Sequence, residues 1–196
     1  MAELVPDDYY QLLDLSSVFG RIAPLEVDLG CGDGSYLAEL AEGSPARDFL
    51  GIERLFGRVR SACYKLAERR VSNARVLRVE STHALSQLLP PRSAEVFHVM
   101  FPDPWPKRRH HNRRLLNQSF LESLHRALSV SGTVQIATDQ ADYFDAICGA
   151  IAAKRDLFEG SIVDQLPAAT STFEKRFRDA GLPIHRLMLR KLSAGM

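Results

Sequence analysis

The sequence predicts a doubly wound α/β fold: a mostly parallel sheet of about seven strands with helices on both faces. Three observations carry this. Short apolar runs alternate with segments of helical spacing along nearly the whole chain. A glycine cluster, "GCGDG" at 30–34, stands where the first strong apolar run gives way to a helical pattern. Strands separated by helices need crossover connections, and those give parallel pairing with both sheet faces covered. The 196 residues, 45% of them apolar, fit one domain over 1–196 with a sizeable core.

"PLEVDLG" (24–30) is a short buried strand, and "SYLAELA" (35–41) after the glycines has helical spacing. "DFLGIE" (48–53) is the second strand. "RLFGRVRSACYKLAERR" (54–70) is an amphipathic helix with Leu55, Val59, Ala62, Cys63 and Leu66 on one face. "ARVLRVE" (74–80) alternates as a third strand. "ALSQLLP" (84–90) is a short helix stopped by Pro90 and Pro91. "AEVFHVMF" (94–101) is the fourth strand, and "NQSFLESLHRALSVSG" (117–132) a helix closed by Gly132. "TVQIATD" (133–139) is the fifth strand and "QADYFDAICGAIAA" (140–153) the next helix, with Asp139 available as its N-cap. Residues 158–164 and "IHRLMLRKL" (184–192) are the weaker strand candidates.

Charge and cysteine content narrow the setting. The net charge of +1 conceals a local +4 in "FPDPWPKRRHHNRRLL" (101–116), which leaves about −3 on the rest. A neutral body with one basic strip implies a polyanionic partner. Cys31, Cys63 and Cys148 offer no paired or zinc-like spacing, so no metal site and a reducing, cytoplasmic setting are expected. No stretch reads as a signal peptide or a membrane span.

The chemistry is expected at the carboxyl edge of the sheet, where open α/β sheets bind ligands. Gly30, Gly32 and Gly34 let the backbone approach a ligand closely, and Asp28 precedes them. Glu53 ends the second strand, placed to accept both hydroxyls of a ribose; Glu80 ends the third, placed to meet an adenine amino group. Each acid taken singly also reads as a solvated strand end. Together they make an acidic edge that suits a cation, such as the sulfonium and ammonium of S-adenosylmethionine, better than the pyrophosphate of a nicotinamide cofactor. Pro102 and Pro104 are expected to hold Asp103 and Trp105 in a stiff, extended loop at the same edge. Trp105 then either offers a stacking surface or plugs the core. Lys107, Arg108, Arg109, His110, His111, Arg113 and Arg114 are expected to meet phosphates, with a solvated helix entry as the competing reading.

"FPDPWPKRRHHNRRLL", preceded by "DLGCGDG" and followed by "ATDQADYF", resembles the bacterial tRNA (guanine-N7)-methyltransferase family, from about Leu25 to Leu192. The resemblance implies a Rossmann-like enzyme that uses S-adenosylmethionine, releases S-adenosylhomocysteine, and methylates N7 of guanine 46 in the tRNA variable loop. It implies cofactor roles for Asp28, where the family commonly has Glu, for Glu53, and for Glu80, where it commonly has Asp. It implies Asp103 as the active-site carboxylate and Lys107, Asp139, Ser171, Phe173 and Glu174 as substrate contacts. "AATSTFEKRF" departs from the family's pattern: Ser171 stands for the usual Thr, and Ala168 and Ala169 for Arg-Pro. The expected partner is tRNA, with no membrane and either a monomer or a homodimer. An enzyme acting on an exocyclic amine is the nearest alternative, but such enzymes commonly carry Asn/Asp-Pro-Pro-aromatic, whereas here the acid lies between the prolines. A catalytically silent RNA-binding relative is the alternative from another class.

Overall fold

The computed structural model of the chain describes residues 2–166 and 172–192. In chain order the elements are β1 (Glu3–Leu4), α1 (Leu15–Phe19), β2 (Leu25–Leu29), α2 (Ser35–Gly43), β3 (Asp48–Glu53), α3 (Phe56–Glu68), β4 (Ala74–Arg78), α4 (Ser81–His83), β5 (Ala94–Met100), α5 (Gln118–Ala127), β6 (Leu128–Thr138), α6 (Ala141–Ala152), β7 (Phe158–Ile162), α7 (Thr172–Asp179) and β8 (His185–Lys191). A π-helical turn at Ala84–Leu88 extends α4, and a 3-10 turn spans Arg108–Arg113.

The strands form one sheet in the order β1-β4-β3-β2-β5-β6-β8-β7. All pairings from β1 to β6 are parallel, and β8 pairs antiparallel with both β6 and β7. The expected α/β fold is therefore present, with eight strands rather than seven. The additional one, β1, is two residues long, too short to show any alternation in the sequence.

Alternation sorts the parallel strands between two cores. Val27, Leu29, Leu50, Ile52, Phe97, Val99, Val134 and Ile136 face the cluster completed by α5 and α6. Phe49 and Val76 face the other, filled by Tyr36 and Leu37 of α2 and Val59 and Leu66 of α3. Burying each large apolar side chain stabilises by about 1.5–3 kcal/mol.

Two helix limits differ from expectation. The helix after the basic strip ends at Ala127, and β6 begins at once with Leu128. Gly132 lies inside that strand and is no C-cap: a Cβ there would meet Leu128 Cδ2 at 2.7 Å and the Glu95 and Ser129 carbonyls at 3.1 Å. Asp139 is likewise not the cap of α6. Gln140 holds that position, and the Asp139 carboxylate accepts from Gln140 Nε2 at 2.6 Å.

Helix α3 packs tightly against Gly34, the left-handed N-cap of α2 (φ 76°). A Cβ there would stand 2.6 Å from Ala62 Cβ and 2.7 Å from its Cα. Gly34→Ala is therefore expected to cost about 1–3 kcal/mol in urea unfolding, since the obstacle is backbone and the dihedral is strained. Gly57→Ala meets open space within α3 and is expected to be neutral or to stabilise by up to about 1 kcal/mol. Equal effects of the two substitutions would contradict this packing.

Candidate functional site

The glycine turn is made by three left-handed residues, Gly30 (φ 85°), Gly32 (φ 57°) and Gly34. The Gly30 and Cys31 amides both donate to the Ile52 carbonyl, at 2.8 and 3.0 Å, so the turn is fastened to β3 and follows its carboxyl end. Beside it lies a cavity of about 480 Å³, lined by Gly30, Glu53, Glu80, Asp103, Trp105 and Arg113 among others. That volume lies within the range of small-ligand and cofactor sites.

The acids differ in their surroundings. Asp28, at the end of β2, is 2% exposed and lies under the turn rather than on the cavity wall. Burial, with the Glu53 carboxylate adding to it, pushes its carboxyl up to about 7. Glu53 is buried yet reaches the wall; its Oε1 accepts from the Leu55 amide at 2.8 Å, and Arg58 stands 3.9 Å from Oε2. Glu80 is exposed and 3.5 Å from Arg54. Asp33, inside the turn, is neutralised by Lys65, so it adds little to the acidic edge; although partial burial opposes it, Lys65 and Ser35 hold its carboxyl below the usual value. Arg54 and Arg58 line the cavity without belonging to any motif read from the sequence, and so does Leu55, which was expected on the buried face of the helix but is 43% exposed at the N-cap of α3.

The proline-flanked loop is bent rather than extended. Phe101 (φ 53°) and Trp105 (φ 44°), each directly before a proline, are both left-handed. Such conformations cost on the order of 1–3 kcal/mol each unless their surroundings enforce them. Arg114 is one such enforcement. It is 7% exposed; its Nε donates to the Pro104 carbonyl at 2.8 Å and its Nη2 to Asp142 Oδ2 at 2.5 Å. Its guanidinium also stands 4.8 Å from the centroid of the Tyr143 ring, and the Tyr143 hydroxyl accepts from the Leu116 amide. The hydrogen bond from Arg114 holds the Asp142 carboxyl below its usual value. Phe177 of α7 packs on Phe101 at 5.1 Å between ring centroids.

The lysine and the other arginines of the basic strip are open, whereas His111, also expected at phosphates, is half-buried with its Nε2 out of solvent. Lys107, Arg108, Arg109 and Arg113 are exposed, and His110 is half-buried against the edge of Trp105 at 5.9 Å. Arg113 covers a face of Trp105, 5.0 Å from its centroid, so the tryptophan is neither a core plug nor a bare platform. Asp139 does not line the cavity. Glu174 is buried and ion-paired with Arg186 at 2.6 Å and Arg178 at 3.2 Å. Ser171, Ala168, Ala169 and the side chain of Phe173 lie outside the described residues. Among the described residues, no group of His, Cys, Asp and Glu is arranged to hold a metal, and no helix is long and apolar enough to cross a membrane.

A family model described as "Putative methyltransferase" matches residues 22–187. The tRNA (guanine-N(7)-)-methyltransferase of Psychromonas ingrahamii is 33% identical over 188 residues, covering 93% of this chain and 77% of that protein. The protein of the same name from Thermotoga maritima is 32% identical over 98% of this chain, which spans 62% of its length. Among solved structures, an rRNA methylase from Streptococcus thermophilus matches with a TM-score of 0.58 at 15% identity, over 87% of this chain and 88% of that one. At that identity the likeness concerns the fold alone.

The buried acid gives a pH signature. In the unfolded chain Asp28 ionises near its ordinary 3.8, whereas in the fold it stays protonated up to about 7. Its cost to stability is absent below pH 3.8, grows as pH rises toward 7, and is constant above. Asp28→Asn is thus expected to gain on the parent chain across that window, by at most on the order of 4 kcal/mol, and to keep the margin at higher pH. Urea unfolding of both proteins along a pH series measures this; a margin independent of pH would contradict it.

Proposed function

Because the chain belongs to the methyltransferase family matched over residues 22–187, we propose that it methylates N7 of guanine 46 in the tRNA variable loop, with S-adenosylmethionine as donor. The observation that carries this reading is one cavity shared by the Gly30 turn, Glu53 and Glu80 on one wall and Asp103 on the other. The names of the relatives support the choice of acceptor.

The residues present fit this donor. The left-handed Gly30 brings backbone to the cavity without a Cβ, and the Glu53 carboxylate has acceptor capacity beyond its bond to Leu55. Glu53 would take ribose hydroxyls and Glu80 the base edge, with Arg58 and Arg54 beside them offsetting part of their charge. When bound, S-adenosylmethionine supplies an electrophilic methyl group on a sulfonium.

Guanine N7 carries a lone pair and no proton, so no group needs to act as a base. What the chain contributes is position, and compensation for positive charge building on the purine. Asp103 orients the guanine through its amino or imino edge and stabilises the cation that forms. Arg114 fixes the carbonyl of Pro104, next to Asp103, and through it the loop. Lys107, Arg108 and Arg109 meet phosphates.

Methyl transfer to unmodified tRNA transcripts tests the reading: transfer is expected with guanine at the variable-loop position and lost without it. Asp103→Asn is expected to lower turnover roughly 10²-fold at saturating tRNA with little change in tRNA affinity. Full turnover in that variant would remove Asp103 from the mechanism. Arg108→Gln and Arg109→Gln should each reduce the slope of log affinity against log salt by about 1. Arg114→Met should leave that slope unchanged while turnover falls, because its guanidinium is buried; a loss of slope would make it a phosphate contact.

A further inference from the structure

Helix α3 has a complete buried face, Val59, Ala62 and Leu66, and an opposite face that the core does not explain. Phe56, Arg60 and Tyr64 follow one another at i, i+4 and i+8, so they form a single stripe along the helix. Phe56 is 53% exposed and Tyr64 69%. The guanidinium of Arg60 stands 5.8 Å from the Phe56 ring centroid, and that of Arg78, from the end of β4, stands 5.3 Å from the same centroid. Two like charges thus gather on one exposed ring, and among the described residues neither has a carboxylate partner. An anion placed there would relieve their repulsion.

The stripe begins at the cavity mouth. Arg54 and Arg58, on the same stretch of chain, line the cavity, and both are more than half exposed. Their contacts with Glu80 and Glu53, at 3.5 and 3.9 Å, are long and exposed on the arginine side, so they are weak and easily exchanged. Across the mouth, Arg113 lies over Trp105 in the same guanidinium-on-ring arrangement. The cavity is therefore flanked on both sides by arginine–aromatic pairs.

We propose that the Phe56–Arg60–Tyr64 stripe with Arg78 is a second RNA-binding surface, which takes an unpaired nucleotide and adjacent phosphates of the same tRNA whose guanine enters the cavity. The inference rests on the tRNA reading above. Exposed aromatics interleaved with arginine suit single-stranded nucleic acid, because every base has a face to stack and every nucleotide a phosphate to neutralise. A base reaches an enclosed site only after leaving its own stack, and a strand gripped on both sides of the mouth holds that opened state. Self-association through this face is disfavoured, because two copies would oppose arginine to arginine.

Binding of the full chain to an unmodified tRNA transcript along a salt series tests this, with S-adenosylmethionine binding by calorimetry as the control for folding. Phe56, Arg60, Tyr64 and Arg78 do not line the cavity, so the control should be unchanged in every variant. The Arg60→Gln/Arg78→Gln double variant is expected to bind tRNA at least tenfold more weakly and to lose about 1.5 from the salt slope. Arg60→Lys/Arg78→Lys should recover the slope. Phe56→Ala should weaken binding at least about fivefold with the slope retained. Parent-like affinity and slope in the glutamine and alanine variants, with tRNA bound by the parent chain, would overturn this inference and leave the proposed function standing. No tRNA binding by the parent chain would overturn both. Dissociation of an oligomer in the double variant, followed by sedimentation, would overturn it by marking the face as a contact between copies.

Discussion

Strand β2 lies between β3 and β5, and the chain leaves β2 through α2 toward β3 but leaves β5 through α5 toward β6, in the opposite direction. No connection therefore closes the space above the carboxyl ends of β2 and β5. Everything else in the molecule depends on that divergence. It opens the cavity, sets the Gly30 turn on one wall and the Pro102–Trp105 loop on the other, and requires α2 and α3 to pack closely enough at Gly34 and Ala62 for the first wall to be firm.

The two walls solve different electrostatic problems. The β2–β3 side carries Glu53 on its surface and Asp28 beneath, and burial, with the Glu53 carboxylate adding to it, keeps Asp28 from ionising freely. Lys65 cancels Asp33, so the negative character is concentrated at Glu53 and Glu80 rather than spread over the turn. The β5 side carries Asp103, held by a loop bent at two pre-proline residues and tied through Pro104 to Arg114, Asp142 and Tyr143. A carboxylate in such a setting is suited to stabilising a charge that appears during reaction, which fits an acceptor nitrogen with a lone pair and no proton.

Much of this was legible in the sequence because the signals were local. "DFLGIE" (48–53) coincides with β3, and the glycines of "GCGDG" are left-handed as their composition implies. The gathering of Glu53, Glu80 and Asp103 follows from their places at strand ends. What the sequence left hidden depends on tertiary contact. Gly132 reads as a helix stop, but its smallness serves an approach to Glu95, which no local pattern records. Arg114 is indistinguishable from Arg113 within a charge run; only the fold buries one and exposes the other. Glu174 reads as a substrate contact, and its pairing with Arg186, twelve residues on, becomes visible only when α7 lies against β8. Arg54, Arg58, Arg60 and Arg78 belong to no motif, and they form a set only because α3 begins at the edge where β4 ends.

The central claim is that the cavity presents a lone-pair nitrogen, guanine N7, to the methyl donor. Replacing the variable-loop guanine of an otherwise unmodified tRNA with 7-deazaguanine removes that atom and keeps the amino and imino groups. The account predicts that methyl transfer to this tRNA falls to background while its affinity for the chain is nearly that of the parent tRNA. Transfer at an undiminished rate would place the accepting atom elsewhere on the base and contradict it.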